Sequence, residues 1–147
     1  MGLNALSLYF LGRAARERRI PLAPRICEAL IFLLFNCSIP IAAEVGKGSR
    51  CGHRGIGVVI GPRARIGERC LIRPGVVIGG AGGSRRGAPQ IGDDVEIGAG
   101  AKVLGPIEVG DGAVIGANAV VLDDVPAGAV AVGIPARVLE SRLGSAR

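Results

Sequence analysis

The sequence predicts an all-β solenoid, in which the chain winds into stacked coils of short strands. An aliphatic residue recurs every six positions from Ile91 to Val121, a period that neither an α-helix nor an alternating strand has. Glycine directly follows four of these aliphatic residues: Gly92, Gly98, Gly110 and Gly116. Aromatic residues are scarce, with 3 Phe, 1 Tyr and no Trp against 25 Gly. This composition favours a narrow core of Ile, Val and Ala, as in a repeat protein.

Six residues per side are typical of a triangular coil of three short strands joined by tight corners. Glycine after the aliphatic residue permits the backbone angles that a sharp corner requires. Successive coils are expected to stack about 4.8 Å apart. Three sides of six residues make eighteen per coil, so the span Ile39–Ala131 predicts about five coils. The period alone does not decide the handedness.

Two helices are predicted before the coils. Residues 3–19 have the apolar spacing of an amphipathic helix, and the segment Ile20–Pro24 ends it. Residues 25–36 are apolar nearly all round, so we expect this second helix to be buried as a cap on the open end of the solenoid. The predicted organisation is a helical segment 1–38, a β-helix 39–138 and a tail 139–147.

The repeat is interrupted twice. Nine residues separate Cys51 from Ile60, three more than the period, and the extra residues surround His53. The second interruption is the segment Gly79–Gln90, which is rich in glycine and arginine and is predicted to bulge from the coil as a loop.

Charge and composition narrow the function classes. The net charge of +6 suits a polyanionic partner such as a cofactor with several phosphates. Nucleic acid is disfavoured, because the basic residues are scattered and the few aromatic residues offer no stacking surface. The longest apolar run, Ala29–Phe35, is far shorter than the ~20 residues of a membrane span. The basic, apolar N-terminus gives only weak support to membrane contact.

The four cysteines form no CxxC pair. Cys51 and Cys70 fall on inward positions of the repeat, so we interpret them as small apolar core residues. With a single histidine and no cysteine cluster, no metal site is expected. This cysteine usage is consistent with a reducing cytoplasm.

The block Gly98–Pro126 and the ending Val132–Val138 resemble the left-handed β-helix acyltransferases built from hexapeptide repeats. The segment Gly52–Ile60, the glycine-rich loop and the segment Gly87–Gly98 most resemble the serine acetyltransferase branch. The likeness covers roughly residues 36–140. About 38 residues precede the coils, as in the short relatives among polysaccharide acetyltransferases. The resemblance implies a left-handed parallel β-helix with a short N-terminal helical cap.

The same resemblance implies partners. Its members form a homotrimer with acetyl-coenzyme A in the cleft between two neighbouring β-helices. Whether two trimers pair further, through the N-terminal helices, is left open.

His53 is the candidate general base. Transfer of an acetyl group from a thioester to a hydroxyl requires a base, and histidine titrates near neutral pH. His53 is the only histidine, it lies in the first interruption, and it aligns with the catalytic histidine of the family. The alternative is a turn histidine that hydrogen-bonds the backbone.

The carboxylate that orients the family's histidine is replaced here by Ser38, which cannot stabilise an imidazolium as a carboxylate does. Three explanations stay open: another carboxylate such as Glu44, a carboxylate from a partner subunit, or a weaker base.

The acceptor site departs further from the family. Gly52 replaces an aspartate, and Gly87 with Ala88 replaces an Arg-His pair that holds the substrate carboxylate. Arg85 and Arg86 lie just upstream and are candidates for that role. L-serine and a sugar hydroxyl both remain possible acceptors.

The cofactor positions are better preserved. Backbone contacts to the pantetheine arm in the family map onto Gly80, Ala99 and Ala117, each two residues after an aliphatic. Their spacing predicts that all three stack on one corner of the coil. Lys102 and Arg137 are candidate partners of the cofactor phosphates.

We therefore expect an acetyl-CoA-dependent O-acetyltransferase with a serine or sugar hydroxyl as acceptor. The alternative is a trimeric scaffold that keeps the fold and has lost the chemistry.

Overall fold

The structure is a computed structural model that describes residues 2–139. Two helices precede a solenoid of short strands. The helices are α1 (Ala5–Glu17) and α2 (Ala23–Phe35), and a 3-10 turn spans Gly52–Gly55. The strands are β1 (Glu44–Val45), β2 (Arg50–Cys51), β3 (Val59–Ile60), β4 (Arg65–Ile66), β5 (Leu71–Ile72), β6 (Val77–Gly79), β7 (Gln90–Ile91), β8 (Glu96–Ile97), β9 (Lys102–Leu104), β10 (Glu108–Val109), β11 (Val114–Ile115), β12 (Val120–Val121), β13 (Val130–Gly133) and β14 (Ala136–Leu139).

The strands form three parallel sheets, which are the three sides of a triangular coil. The first side has the order β1-β4-β7-β10, the second β2-β5-β8-β11-β13, and the third β3-β6-β9-β12. The chain visits first, second and third sides in turn, as the hexapeptide period predicts. Strand β14 turns back and pairs antiparallel to β13, which closes the second side.

The solenoid has about four turns, fewer than the five predicted. The first and third sides each have four strands, extended only by the isolated bridges Val109–Val125 and Ser38–Val59. Thirteen positions separate Ile78 from Ile91 where one side takes six, so seven residues are inserted there. A count of eighteen residues per coil therefore overestimates the number of coils, because it assigns the inserted residues of both interruptions to coils.

The core is a column of small aliphatic side chains, as predicted. On the second side Ile72, Ile97 and Ile115 pair in register and are at most 1% exposed. Burial of each isoleucine contributes about 1.5–3 kcal/mol. Successive coils also pack closely at their corners. A Cβ atom added to Gly98 would lie 2.5 Å from the Ala117 nitrogen of the next coil. That position therefore requires glycine.

Helix α1 is amphipathic as predicted, and it joins the cap to the first coil. Asn4 caps its start by accepting a hydrogen bond from the Ser7 amide at 3.0 Å. The fully buried Tyr9 donates its hydroxyl to the Ala43 carbonyl at 2.6 Å and accepts from the Val45 amide at 3.2 Å. One aromatic side chain thus satisfies two backbone groups of the coil.

The prediction that α2 is buried is wrong for half of the helix. Only Cys27, Ile31 and Phe35 are buried, on the side that packs toward α1 and the coil. The opposite side is largely exposed to solvent, although its C-terminal residues Leu33 and Leu34 lie beside the turn at His53. We call it the outer face of α2, and it consists of Leu22, Ile26, Leu30, Phe32, Leu33 and Leu34, which are 37–75% exposed. No helix within residues 2–139 combines the length and apolarity needed to cross a bilayer.

Candidate active site

His53 lies at a corner that the three inserted residues widen. It belongs to the 3-10 turn between β2 and β3, and its side chain is exposed, as expected from its place in the interruption. His53 (φ 46°) and Arg54 (φ 66°) both adopt left-handed backbone angles, which are uncommon outside glycine. Strained residues of this kind cluster at functional sites. Two in succession make this corner a functional candidate on backbone grounds alone.

The corner between the second and third sides forms a continuous edge of the solenoid, which we call the histidine edge. Four residues occupy equivalent places on it, each two positions after an inward residue of the second side: His53, Pro74, Ala99 and Ala117. Backbone bonds connect the levels, from the Gly75 amide to the Ile56 carbonyl (3.0 Å) and from the Gly100 amide to the Pro74 carbonyl (2.9 Å). Ala99 and Ala117 thus lie two and three coils from His53, or about 10 and 14 Å along the edge.

Two backbone amides on this edge are free. The Ala99 carbonyl accepts from the Asn118 amide at 2.8 Å, but the amides of Ala99 and Ala117 donate to no backbone or side-chain group of residues 2–139. Both residues are exposed, so no side chain larger than a methyl group shields these donors. A bound chain with carbonyl groups can accept from them. The structure therefore places Ala99 and Ala117 on one corner, as their spacing predicts, and it places His53 on the same edge, which the sequence analysis does not predict.

Gly80 does not lie on this edge, and the prediction that it stacks with Ala99 and Ala117 is wrong. It follows Ile78 of the third side and lies at the corner between the third and first sides. The spacing of 19 residues from Gly80 to Ala99 predicts one coil with one inserted residue. Because the insertion is seven residues long, the two positions fall on different corners.

The glycine-rich loop forms the neighbouring edge of the solenoid. Its Gly87 packs on Pro106 of the next coil. Arg85 reaches further, donating to the Leu122 carbonyl at 2.7 Å and lying 3.6 Å from the Asp123 carboxylate. Arg85 thus anchors the loop to the last coil, while Arg86 is exposed. The third side separates this edge from His53 by roughly 15–20 Å, so one chain does not bring Arg85 or Arg86 to His53.

The two candidate phosphate partners occupy different places. Lys102 begins β9, and its ammonium group donates to the Gly100 carbonyl on the histidine edge at 3.2 Å. Arg137 lies on β14, and its guanidinium donates to the neighbouring Ala136 carbonyl at 3.3 Å. Lys102 is therefore beside Ala99, whereas Arg137 lies one strand beyond the end of the parallel second side.

The orienting carboxylate is not found in this chain's own first coil. Ser38 bridges Val59 through backbone bonds, and Gly52 next to His53 carries no side chain. Glu44 lies on the first side, opposite the histidine edge, and pairs with Arg65 at 3.3 Å. No group within residues 2–139 hydrogen-bonds the His53 ring. Of the three explanations, a carboxylate from Glu44 of the same chain is excluded.

The sequence analysis missed the walls of the His53 site. A cavity of about 190 Å³ beside His53 is lined by Leu33, Leu34, Phe35, Asn36, Arg54 and Ile56. The apolar sequence of α2 predicts a buried helix, so it does not indicate that Leu33 and Leu34 form walls of this site. The column of His53, Pro74, Ala99 and Ala117, in contrast, has a signal in the sequence: each follows an inward residue by two positions.

The cysteines do not supply a nucleophile. Burial raises the pKa of Cys37 to about 11, and burial with the nearby Cys37 raises the pKa of Cys51 to about 12. Burial also raises the pKa of Cys70. Such thiols are protonated at neutral pH. Cys70 is a buried core residue as predicted, whereas Cys51 packs against the core and is only partly buried. Within residues 2–139, no group of three or more His, Cys, Asp or Glu side chains is placed to hold a metal ion.

Comparison with known proteins identifies the family. The bacterial transferase hexapeptide (six repeats) family matches residues 88–123. The serine acetyltransferase of Helicobacter pylori (strain J99) is 43% identical over 141 residues, which cover 94% of this chain and 81% of that protein. The chain belongs to the serine acetyltransferase family. A relative from Synechococcus elongatus is 42% identical over 94% of this chain but only 57% of its own length. This family member therefore spans little more than half the length of some curated relatives.

Solved structures of serine acetyltransferases are similar to this chain in fold and sequence. A serine acetyltransferase in complex with cysteine has a TM-score of 0.83 at 38% identity, over 95% of this chain and 54% of that one. A serine acetyltransferase in complex with CoA has a TM-score of 0.79 at 39% identity, over 92% and 55%. The soybean serine acetyltransferase complexed with serine has a TM-score of 0.81 at 42% identity, over 92% and 56%.

Proposed function

We propose that this chain is an acetyl-CoA-dependent O-acetyltransferase in which His53 is the general base. The observation that carries the proposal is the histidine edge, where an exposed imidazole and the two free amides of Ala99 and Ala117 form one column. The amides bind carbonyl groups of the pantetheine arm, which then lies along the edge toward His53. Lys102, beside Ala99, and Arg137 provide positive charge for the cofactor phosphates.

The proposed reaction is a single acyl transfer. His53 takes the proton of the acceptor hydroxyl while the hydroxyl oxygen attacks the thioester carbonyl. The carbon–sulfur bond breaks, and the imidazolium returns the proton to the departing thiolate. The products are an O-acetyl ester and free coenzyme A, and His53 is neutral again.

The acceptor is a hydroxyl compound, either L-serine or a sugar of a polysaccharide precursor. Serine is supported by the relatives, one of which has been solved in complex with serine. The sugar is supported by this chain's own residues. Gly52, Gly87 and Ala88 carry no charge, and Arg85 is engaged by Leu122 and Asp123. Arg86 is then the only loop arginine left to hold an amino-acid carboxylate.

A homotrimer explains why one chain leaves the site incomplete. The histidine edge and the loop edge lie on opposite margins of the third side. A neighbouring copy that docks its loop edge against His53 would bring Arg86 and Gly80 to the cofactor cleft. The cytoplasm is the proposed location, since Cys27, Cys37, Cys51 and Cys70 are all free thiols.

The decisive experiment measures release of free coenzyme A thiol with L-serine and a panel of sugars, comparing wild type with His53→Asn. Asparagine tolerates the left-handed backbone that His53 adopts, so the corner keeps its shape while the base is removed. Loss of a general base predicts a decrease in kcat of about 10²–10⁴-fold. If no acceptor supports release that depends on His53, the scaffold alternative is correct and the enzyme proposal fails.

A second variant tests the cofactor column. Pro74 occupies the equivalent place one coil below Ala99, so Ala99→Pro removes the free amide at a place where the fold accepts proline. One lost hydrogen bond predicts a KM for acetyl-CoA raised about 2–10-fold, with an unchanged Tm. The matched control is Ala99→Ser, which keeps the amide and is expected to keep the KM. An unchanged KM in Ala99→Pro would remove this amide from the site.

A further inference from the structure

The outer face of α2 is the largest uncovered apolar surface among the described residues. Ile26, Leu30 and Leu33 follow one another at spacings of four and three residues, which places them on one stripe of the helix, and Leu22 precedes the helix as its N-cap residue. Leu33 is 75% exposed and Leu22 67%. Phe32 (61% exposed) and Leu34 (57%) lie beside this stripe, so several large apolar side chains are exposed together. Contiguous exposed apolar patches mark interaction sites.

A cluster of arginines adjoins this face at its N-terminal end. Arg16, Arg19 and Arg25 line an open cavity of about 570 Å³ that also includes Leu22. None of the three lies within 4 Å of a carboxylate in residues 2–139. Glu28, the acidic residue of the cavity, is engaged by the Ile41 amide at 2.7 Å. The arginines are therefore free to pair with anions from outside.

We propose that the outer face of α2, together with Arg16, Arg19 and Arg25, docks onto an anionic lipid bilayer. A helix with an apolar face and a basic flank lies in the membrane interface, with its apolar side chains buried about 5–10 Å and its cations near the lipid phosphates. The negative inner leaflet of a cell membrane supplies the matching charge. Neither the exposure of this face nor the free arginines can be derived from the sequence, which by itself gives only weak support to membrane contact.

Charge favours the bilayer over a second copy of the chain. A two-fold contact with parallel helices would bring the arginine clusters of two copies together, and one with antiparallel helices would place each cluster against the uncharged Leu33 and Leu34 of the other copy. Like charges in apposition oppose the first arrangement, and the second supplies no anion for the arginines. An anionic surface, in contrast, neutralises the cluster and covers the apolar stripe at the same time.

Docking also positions the candidate site. Leu33 and Leu34, at the C-terminal end of the outer face, line the cavity beside His53. The histidine edge therefore starts next to the docked surface. An acceptor hydroxyl on a membrane-attached molecule would be within reach of His53 without leaving the interface.

The test is flotation of the purified full chain with vesicles of phosphatidylcholine alone or with about one third phosphatidylglycerol, at low and at high salt. Binding is expected only to the anionic vesicles, and about 0.5 M salt should weaken it because it screens the arginines. Failure of the wild type to float with anionic vesicles at low salt overturns the proposal, as does equal binding to neutral vesicles.

Two double variants locate the surface. Ile26→Gln with Leu33→Gln should lower partitioning at least tenfold, since each apolar side chain then no longer enters the interface. Arg19→Asn with Arg25→Gln should lower it roughly 25-fold, or about fivefold for each arginine. Asparagine is chosen at Arg19 because that residue has a left-handed backbone (φ 55°).

Matched controls lie elsewhere on the surface: Ile134→Gln, 73% exposed near the far end of the solenoid, and Arg63→Gln on the coil. Both should bind vesicles as the wild type does. If the α2 variants instead change the oligomeric mass in ultracentrifugation and leave vesicle binding intact, a second copy covers the face and the bilayer proposal is wrong. Thiol release with a soluble acceptor, measured on the same preparations, tests the proposed function separately.

Discussion

The solenoid and the helical cap bury their apolar residues for different reasons. In the solenoid, Ile72, Ile97 and Ile115 are buried because the same position of the next coil always lies above and below them. In the cap, Ile31 is buried and Leu33 is 75% exposed, although both belong to one apolar helix. A repeat supplies its own neighbours at a fixed distance along the chain. A helix depends on which other element reaches each of its faces.

The first and largest expected effect compares these two kinds of residue directly. Ile97→Ala should lower the free energy of unfolding by about 2–5 kcal/mol, since it removes a fully buried side chain and leaves a cavity. Leu33→Ala should change it by less than about 0.5 kcal/mol, because the side chain is exposed. Urea unfolding at one protein concentration measures both values.

Equal destabilisation by the two variants would contradict this expected difference between core and cap. It would mean that Leu33 is covered in solution by another molecule of the chain. The dependence of the Leu33→Ala effect on protein concentration identifies that case, because association stabilises a protein by mass action.

The sequence predicts the solenoid well because its period is local information. The inward positions, the widened corner at His53 and the glycine-rich loop all follow from where the spacing of six holds and where it fails. The number of turns predicted from the sequence is too high because the loop inserts seven residues, which is more than one full side of six. The same miscount placed Gly80 on the wrong corner.

The candidate site is only partly predictable, for a physical reason. His53, Ala99 and Ala117 share one edge because they share one place in the repeat. The contribution of Leu33 and Leu34 to the His53 cavity depends on how α2 packs on the first coil, which no periodicity encodes. The engagement of Arg85 by Leu122, 37 residues away, is likewise a tertiary contact of a loop.

A second, smaller effect concerns the joint between cap and solenoid. Tyr9→Phe removes the hydroxyl that serves the Ala43 carbonyl and the Val45 amide while keeping the buried ring. Arg13 also donates to the Ala43 carbonyl at 3.0 Å, so the Val45 amide is the group that loses its partner. We expect a loss of about 1–2 kcal/mol in the free energy of unfolding.

Calorimetry of Tyr9→Phe shows whether the cap and the coil unfold together. A single transition shifted to lower temperature is expected for Tyr9→Phe, with Leu11→Ala, an exposed position on the same helix, as the control. Separate transitions for the variant would show that the hydroxyl couples the two regions. An unchanged Tm would show that Arg13 alone holds the joint.

The smallest expected effect tests an ion pair on a corner of the solenoid. Arg69 donates to both oxygens of Asp94, at 2.8 and 2.9 Å, and these bonds hold the pKa of Asp94 below its usual value.

A lowered pKa in the folded state means that the stabilisation is complete above the unfolded pKa of about 3.9 and disappears as the pH falls through the folded value. Asp94→Asn keeps the left-handed backbone of this residue (φ 56°) and removes the charge together with one of the two oxygens that accept from Arg69. Because both side chains are about half exposed, we expect a decrease in Tm of only about 1–3 °C at pH 7, which shrinks in high salt and shrinks again as the pH falls below the unfolded pKa. Glu17→Gln, in a pair separated by 4.0 Å on the helical cap, should leave the Tm unchanged at every pH. A difference between Asp94→Asn and wild type that is as large at low pH as at pH 7 would contradict a role of the charge. Because asparagine has nearly the same shape as aspartic acid, such a difference would come from the neutral hydrogen bonds that link this corner to Arg69 of the preceding coil.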